Sequence, residues 1–319
     1  MSSWELHLPP DTEEINELYL DEFFRTMYER QEIWYKRFIL KQPRPWTKNE
    51  VFNKYKFCNV YRELDRTSQW LIKNVIRNEK LSIEEIVFKI LVFRVYNKPE
   101  TFDLIGLPDY KTFDTPKHLK VVTEASKSMK VLNDEAYKIN TYMSKGAVWE
   151  SYTKNFVPAF HKLVPELVKV ISKSKDAVDV VNTIMKVHGI GTFFSHECYI
   201  DFCYLNKYRK DNLFRFTEND YTNTGPGAIV GMRWLFPSLK SKKELQNATY
   251  VLKDIASEYL AKFGDFKYVY WDLDKKQYYC IDIPNIKLSI IEFWACEFNK
   301  YRKMKLRLGK QRGVFIPIS

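Results

Sequence analysis

The chain has 319 residues, 45% apolar and 16% aromatic, with 10 glycines and 13 prolines, which excludes a low-complexity chain and supplies enough apolar side chains for one large domain or two small ones. Its formal net charge is +11. An excess of that size points to a polyanionic partner, nucleic acid above all, although an unspecialised basic protein would share it.

In chain order, Pro9-Pro10 precede Asp11, with Glu14 three residues on, a helix N-cap followed by an acidic first turn. Ile15, Leu18, Phe23, Met27, Trp34 and Phe38 then recur at mostly helical spacing until Lys41–Pro45 (KQPRP) breaks the pattern. Thr47-x-x-Glu50 and Ser82-x-x-Glu85 read as capping boxes. The second opens a helix with Ile83, Ile86, Val87, Ile90 and Leu91 inward, stopped by Asn97-Lys98-Pro99. Thr115-Pro116 opens another helix. Ala177, Val180, Val181, Ile184 and Met185 give a further one, ended by Gly189-Ile190-Gly191, with the next expected over Thr192–Leu205.

Gly225-Pro226-Gly227 lies in a loop, and Ser241-x-x-Glu244 caps a helix running to Lys262. Tyr268–Ile283 is the best strand candidate, a small hairpin, and Ser289–Lys303 returns to helical period. The expected fold is mainly α, with at most one minor hairpin. It forms a single helical domain over 1–319, or two lobes over about 1–110 and 111–319.

The cysteines (Cys58, Cys198, Cys203, Cys280, Cys296) are odd in number and include no C-x-x-C pair. They read as reduced thiols of a cytoplasmic protein, not as a disulfide, zinc or iron–sulfur framework. The polar, acidic N-terminus is unlike a signal peptide, and no run of about 18 apolar residues would place the chain in a membrane.

Four stretches could carry chemistry. Val187-His188-Gly189-Ile190-Gly191 between two apolar helices suits a helix-hairpin-helix. There Gly189 and Gly191 would let backbone N–H groups approach a DNA phosphate, though a plain C-cap turn has the same letters. Asp201 follows in ECYIDFCYL, either as a carboxylate working at a flipped nucleotide or as an ordinary ion-paired aspartate. Next comes DYTNTGPGAIVG with Arg233 beyond it, a close backbone approach with a cation for pyrophosphate, or a simple turn.

Asn59-Val-Tyr-Arg-Glu-Leu-Asp-Arg66 puts Arg62, Asp65, Arg66 and Gln69 on one polar helical face, with Leu64, Leu71 and Val75 inward. Arginines held by carboxylates make a pre-oriented anion site, and surface salt bridges are the alternative. At the C-terminus come Glu292, Glu297 and Lys300, the last close enough to Glu297 to pair, and the run from Lys300 to Arg312 has seven basic residues, Lys303 and Arg307 among them, and no acidic one. It is a track for a DNA backbone or a solvated tail. No P-loop, dinucleotide fingerprint, nucleophile elbow or zinc-hydrolase motif is present. His7, His118, His161, His188 and His196 are scattered.

FCNVYRELDRTSQWLIKNV (57–75) resembles the signature of the alpha-glutamyl/putrescinyl thymine pyrophosphorylase family. That family is also described as amino acid:DNA transferases and as the helical domain associated with 5-hydroxymethyl-deoxyuridine DNA kinases. VFRVYNKPETFDLIG (92–106), VHGIGTFFSHECYIDFCY with the later GPGAIVG, and IEFWACEFNKYRK (291–303) follow in the family's order, so the resemblance spans about Trp46 to Arg312. It implies a helical fold like that of helix-hairpin-helix DNA glycosylases and a place in bacteriophage thymine hypermodification. In that chemistry 5-hydroxymethyluracil in DNA is phosphorylated and pyrophosphorylated, and an amine then displaces the pyrophosphate. The family's names differ on which step it performs.

The expectation is therefore a transferase acting on a base flipped out of double-stranded DNA. Arg62 and Arg66 would hold the phosphate, and Asp65 or Asp201 would accept the amine's proton. Asn59, Gln69, Arg233, Glu292, Glu297 and Lys300 would bind the substrates, a 5-substituted uracil and a small amine (amino acid or polyamine). Gly189, Gly191, Lys303 and Arg307 would hold DNA. Mg2+ would help a pyrophosphate leave, although no metal-ligand box is visible and no metal-ligand residues are expected. A glycosylase excising a modified base, and a non-catalytic DNA-binding partner of a DNA base kinase, remain alternatives.

Overall fold

The computed structural model describes residues 15–134, 139 and 147–308. Along the chain run α1 (Glu17–Trp34), α2 (Glu50–Lys54), α3 (Arg66–Leu71), α4 (Ile83–Tyr96), α5 (Pro99–Ile105), α6 (Thr115–Ser128), α7 (Val148–Ser151), α8 (Val157–Lys173), α9 (Ala177–Ile184), α10 (Thr192–Tyr208), α11 (Pro226–Leu235), α12 (Lys242–Ala261), β1 (Tyr268–Asp272), β2 (Gln277–Ile281) and α13 (Leu288–Lys305). The fold is mainly helical. Its strands among the described residues are β1 and β2, an antiparallel hairpin in which Tyr270 faces Tyr279 and Trp271 faces Tyr278.

The chain divides into two compact units, Met1–Asp65 with Thr222–Ser319, and Arg66–Tyr221. The lobe boundary expected near residue 110 falls inside the second unit, between α5 and α6. Packing, not chain order, draws the division, because the C-terminal helices return to α1. In the first unit α1, α11, α12 and α13 pack around Phe23, Phe24, Met27, Met232, Leu252, Ile291, Trp294 and Phe298. In the second, α8 and α10 pack against α4.

Several local signals act differently from their sequence reading. Asp11 and Glu14 lie outside the described residues; α1 is capped by Asn16, whose side chain accepts from the Tyr19 N–H. Leu18, expected inward, is 82% exposed. Asn49, not Thr47, caps α2, while Thr47 donates to Glu29. Ser82 does cap α4, but the Glu85 carboxylate accepts from the backbone of Tyr110 and Lys111. Nor is α4 one-sided, since it is buried from Glu85 to Tyr96. A helix surrounded by others shows no polar stripe, so Arg94 inside it needs a partner. Asp114 precedes Thr115 as the cap of α6. The capping box of Ser241 and Glu244 forms in full.

Candidate functional site

In the first unit, the stretch before the chain crosses to the second unit is held by α1 and α13. The single helix expected through Arg62, Asp65, Arg66 and Gln69 does not form. Arg62–Leu64 is one 3-10 turn, Asp65 is extended at ψ 146°, and α3 starts at Arg66. Extended backbone lets Asp65 fold back: Oδ1 accepts from the Asn59 backbone and side-chain N–H groups, both at 2.9 Å, and Oδ2 accepts from Arg62 Nη1 at 3.0 Å. Arg30 of α1 donates to Asn59 Oδ1 at 2.6 Å and to the Phe57 carbonyl. Arg62 stacks over Phe293 of α13 at 4.7 Å and reaches Cys58 Sγ at 3.3 Å. One turn further along α13, Glu297 accepts from the Cys58 N–H at 2.9 Å and from Lys300 at 3.2 Å, and Lys300 lies 4.6 Å from the Phe57 ring.

Three cations, Arg30, Arg62 and Lys300, thus face two carboxylates, Asp65 and Glu297, and the side chains of Arg62 and Asp65 are only 18% and 16% exposed. Burial pushes the Asp65 carboxyl above its ordinary range, against the opposing pull of Arg62, the Asn59 hydrogen bond and Arg30. Burial, with Glu297 and Asp65 adding to it, raises the Cys58 thiol, which keeps it protonated and a poor nucleophile. The arrangement can hold an anion against a guanidinium fixed by stacking and an ion pair, beside a carboxylate of raised basicity.

The other first-unit candidates divide. Glu292 is buried and accepts from the Gly225 N–H at 3.1 Å, so a carboxylate already occupies the N-terminal turn of α11 where a phosphate was expected. Gly227 and Gly231 serve packing: a Cβ on Gly227 would lie 2.5 Å from Cys296 Sγ, and one on Gly231 would overlap the Ala295 carbonyl. Small residues four apart let α11 press onto α13. Arg233 is exposed and donates to the Lys240 carbonyl, apart from the Asp65 cluster. In the basic C-terminal run, Arg302 and Lys305 pair with Glu22 and Lys300 with Glu297. Lys303 and Arg307 are exposed, while Lys310 and Arg312 lie outside the described residues. The track is therefore partly neutralised by its own fold.

The second unit holds the rest. Arg66 is exposed and pairs with Glu100, and Gln69 lies on α3. Asp201 is fully buried in a two-pronged ion pair with Arg94, whose Nη2 lies 2.6 Å from Oδ1; Nη1 also reaches Asn97 Oδ1 at 3.0 Å and Nη2 reaches Ser68 Oγ at 3.3 Å. The Asp201 carboxylate is thus closed off from solvent, whereas a base at a flipped nucleotide was expected to be accessible. The hairpin forms as read: α9 ends at Ile184, Gly189 takes φ +86°, Ile190 is buried and Gly191 caps α10. A Cβ on Gly191 would meet nothing within 4 Å, so no internal contact demands glycine there.

A sequence profile described as "5-hmdU DNA kinase, helical domain" matches residues 17–311. The chain belongs to this family. It is 26% identical over 294 residues to the "5-hmdU DNA kinase" of Bacillus phage SP10, a stretch covering 88% of this chain and 44% of that protein. The chain thus spans less than half of that relative. No solved structure matches.

For a member of the 5-hmdU DNA kinase helical-domain family, the resemblance read from the four sequence blocks holds, and so does the mainly helical fold. Among the described residues, no helix is long and apolar enough to cross a membrane, and no three His, Cys, Asp or Glu side chains are grouped to hold a metal ion. Arg30, Phe293 and Cys58 escaped sequence reasoning. A signal for Arg30 existed, because it interrupts an apolar stripe between Met27 and Trp34, three and four residues away. Phe293 had none, since an aromatic residue in a helix reads as core.

Proposed function

We propose that this chain acts on 5-hydroxymethyluracil in phage DNA and holds the phosphorylated 5-substituent of the base at the Asn59–Asp65 cluster during group transfer. The observation that carries the reading is the partly buried Arg62, fixed by Asp65 and stacked on Phe293. Arg62 binds the phosphate or pyrophosphate oxygens, and Lys300 adds charge beside it. Asp65, made more basic by burial, accepts a proton from the attacking amine. In the second unit, the hairpin glycines offer backbone N–H groups to a DNA phosphate. Glu297, the second carboxylate of the cluster, would help hold a Mg2+ ion that arrives with the substrate phosphates, and the ion would supply charge neutralisation to the leaving group.

A second reading has its own support. The SP10 relative is named a kinase and is more than twice as long as the matched stretch, whereas this chain has no P-loop motif. On that reading the chain presents the base to a kinase. A glycosylase is not proposed, because the aspartate it relied on, Asp201, is buried in an ion pair.

Nucleoside mass spectrometry separates the readings. DNA containing 5-hydroxymethyluracil, untreated or pre-phosphorylated, is incubated with the protein, amino acids and polyamines. A heavier nucleoside that disappears in Arg62→Ala supports transfer. DNA binding with unchanged base mass supports presentation to a kinase, and abasic sites would refute both.

A further inference from the structure

Outside the Asp65 cluster, the segment from Lys36 to Lys56 stands apart in charge. It carries Lys36, Arg37, Lys41, Arg44, Lys48, Lys54 and Lys56 against one acidic residue, Glu50. Phe38, Ile39 and Leu40, three consecutive apolar residues where the helical run from α1 ends, are 43%, 41% and 45% exposed. Single exposed apolar side chains are ordinary, but three in a row ringed by cations mark an interaction site.

The segment is firmly attached. Arg37 lies 4.7 Å from the Phe38 ring and 5.3 Å from the Trp46 ring, and Arg44 stacks on Trp46 at 5.3 Å. Asn49 bonds both Glu29 and Tyr301, and Phe52 packs on Phe57 and Tyr301. The chain then runs straight into Phe57-Cys58-Asn59. This is a cationic arm with an apolar tip, fixed to the elements that build the Asp65 cluster.

Resting on the functional reading above, we propose that this arm is a DNA-binding surface: its cations track phosphates beside the target base, and Phe38–Leu40 enter the groove and wedge the neighbouring base step. Charge complementarity selects the occupant, since the segment's seven cations outnumber its one carboxylate, and the pairing of Lys36 with Glu32 still leaves a cationic excess that suits a polyanion. Apolar wedges of one to a few side chains are how proteins unstack a base step. A membrane surface would need a much broader apolar face than three residues supply.

The test uses the full chain, fluorescence anisotropy against salt, and a 5-hydroxymethyluracil duplex carrying 2-aminopurine beside the modified base. Lys41→Asn, Arg44→Gln and Lys48→Gln are combined. Asparagine is chosen at 41 because that residue has φ +52°. The triple variant should lower the log–log salt slope by about 2–3, at roughly 0.9 per lost phosphate contact, and weaken binding at least ~10-fold at physiological salt. Phe38→Ala with Ile39→Ser should keep the slope and lose the 2-aminopurine signal. Thermal melting checks that both variants fold. An unchanged slope in the triple variant, with wild-type protein binding DNA, overturns the arm alone. Wild-type protein that fails to bind DNA overturns the arm and the functional reading together. Binding to phosphatidylserine vesicles in place of DNA would make the arm a membrane surface and end the proposal.

Discussion

Replacing Arg94 with methionine should destabilise the second unit more than any surface change. The substitution leaves the Asp201 carboxylate, fully buried, without the guanidinium that grips both its oxygens. Removing one partner of a buried ion pair costs about 3–5 kcal/mol. For a unit running from Arg66 to Tyr221, each kcal/mol corresponds to about 2–4 °C, so its melting temperature should fall by roughly 6–20 °C. The double variant Arg94→Met/Asp201→Leu removes both charges and should recover part of the loss, about 1–3 kcal/mol. It should stay about 2 kcal/mol short of wild type, because Asn97 and Ser68 each lose a donor worth about 1 kcal/mol. Hydrogen exchange of α4 and α10, read by mass spectrometry, localises the effect to this unit. If Asp201→Asn kept wild-type protection and yet abolished modification of DNA, Asp201 would be a catalytic base and the structural assignment would be wrong.

Gly231→Ala should destabilise the first unit by about 2 kcal/mol, because the methyl group meets the Ala295 backbone and outweighs the gain of about 1 kcal/mol in helix propensity; urea denaturation measures it. Gly191→Ala should change stability by less than about 1 kcal/mol and still weaken DNA binding severalfold, since only an external ligand approaches that position; unchanged affinity would remove the hairpin from the interface. The Asp65 carboxyl titrates above its ordinary range, so the fold binds its proton more tightly than the unfolded chain does, and its contribution to stability falls as pH rises through the raised pKa. If Asp65 is the base, transfer should rise over the same interval, and Asp65→Asn should remove that limb of the pH–rate profile. His118 is buried and its pKa is lowered to about 4 from 6.5, so the unfolded chain takes up the proton first and stability is lost as pH falls from about 6.5 to 4. The full effect is about 3 kcal/mol, and thermal melts of His118→Phe should lack it.

The fold class, the hairpin at 268–283, the helix-hairpin-helix turn and the pairing of Glu297 with Lys300 were legible in the chain because each depends on residues a few positions apart. Helical period, alternation, a glycine at positive φ and an i,i+3 ion pair are local physics, and sequence encodes them directly. The family was legible for a related reason, since its motifs are short runs. What only the tertiary structure decided lies across long separations. Arg30 reaches Asn59 from α1, Phe293 stacks on Arg62 from α13, and Arg94 neutralises Asp201 across 107 residues. A local pattern can mark Arg30 as out of place in an apolar stripe, but none announces the partners, because a buried charge finds its counterpart only once its surroundings are known. The same cause turned the GPG loop into a packing surface and bent the Arg62–Gln69 face at Asp65. Local spacing gave each side chain a direction, but the neighbours that give it a role are supplied by elements folded in from elsewhere in the chain.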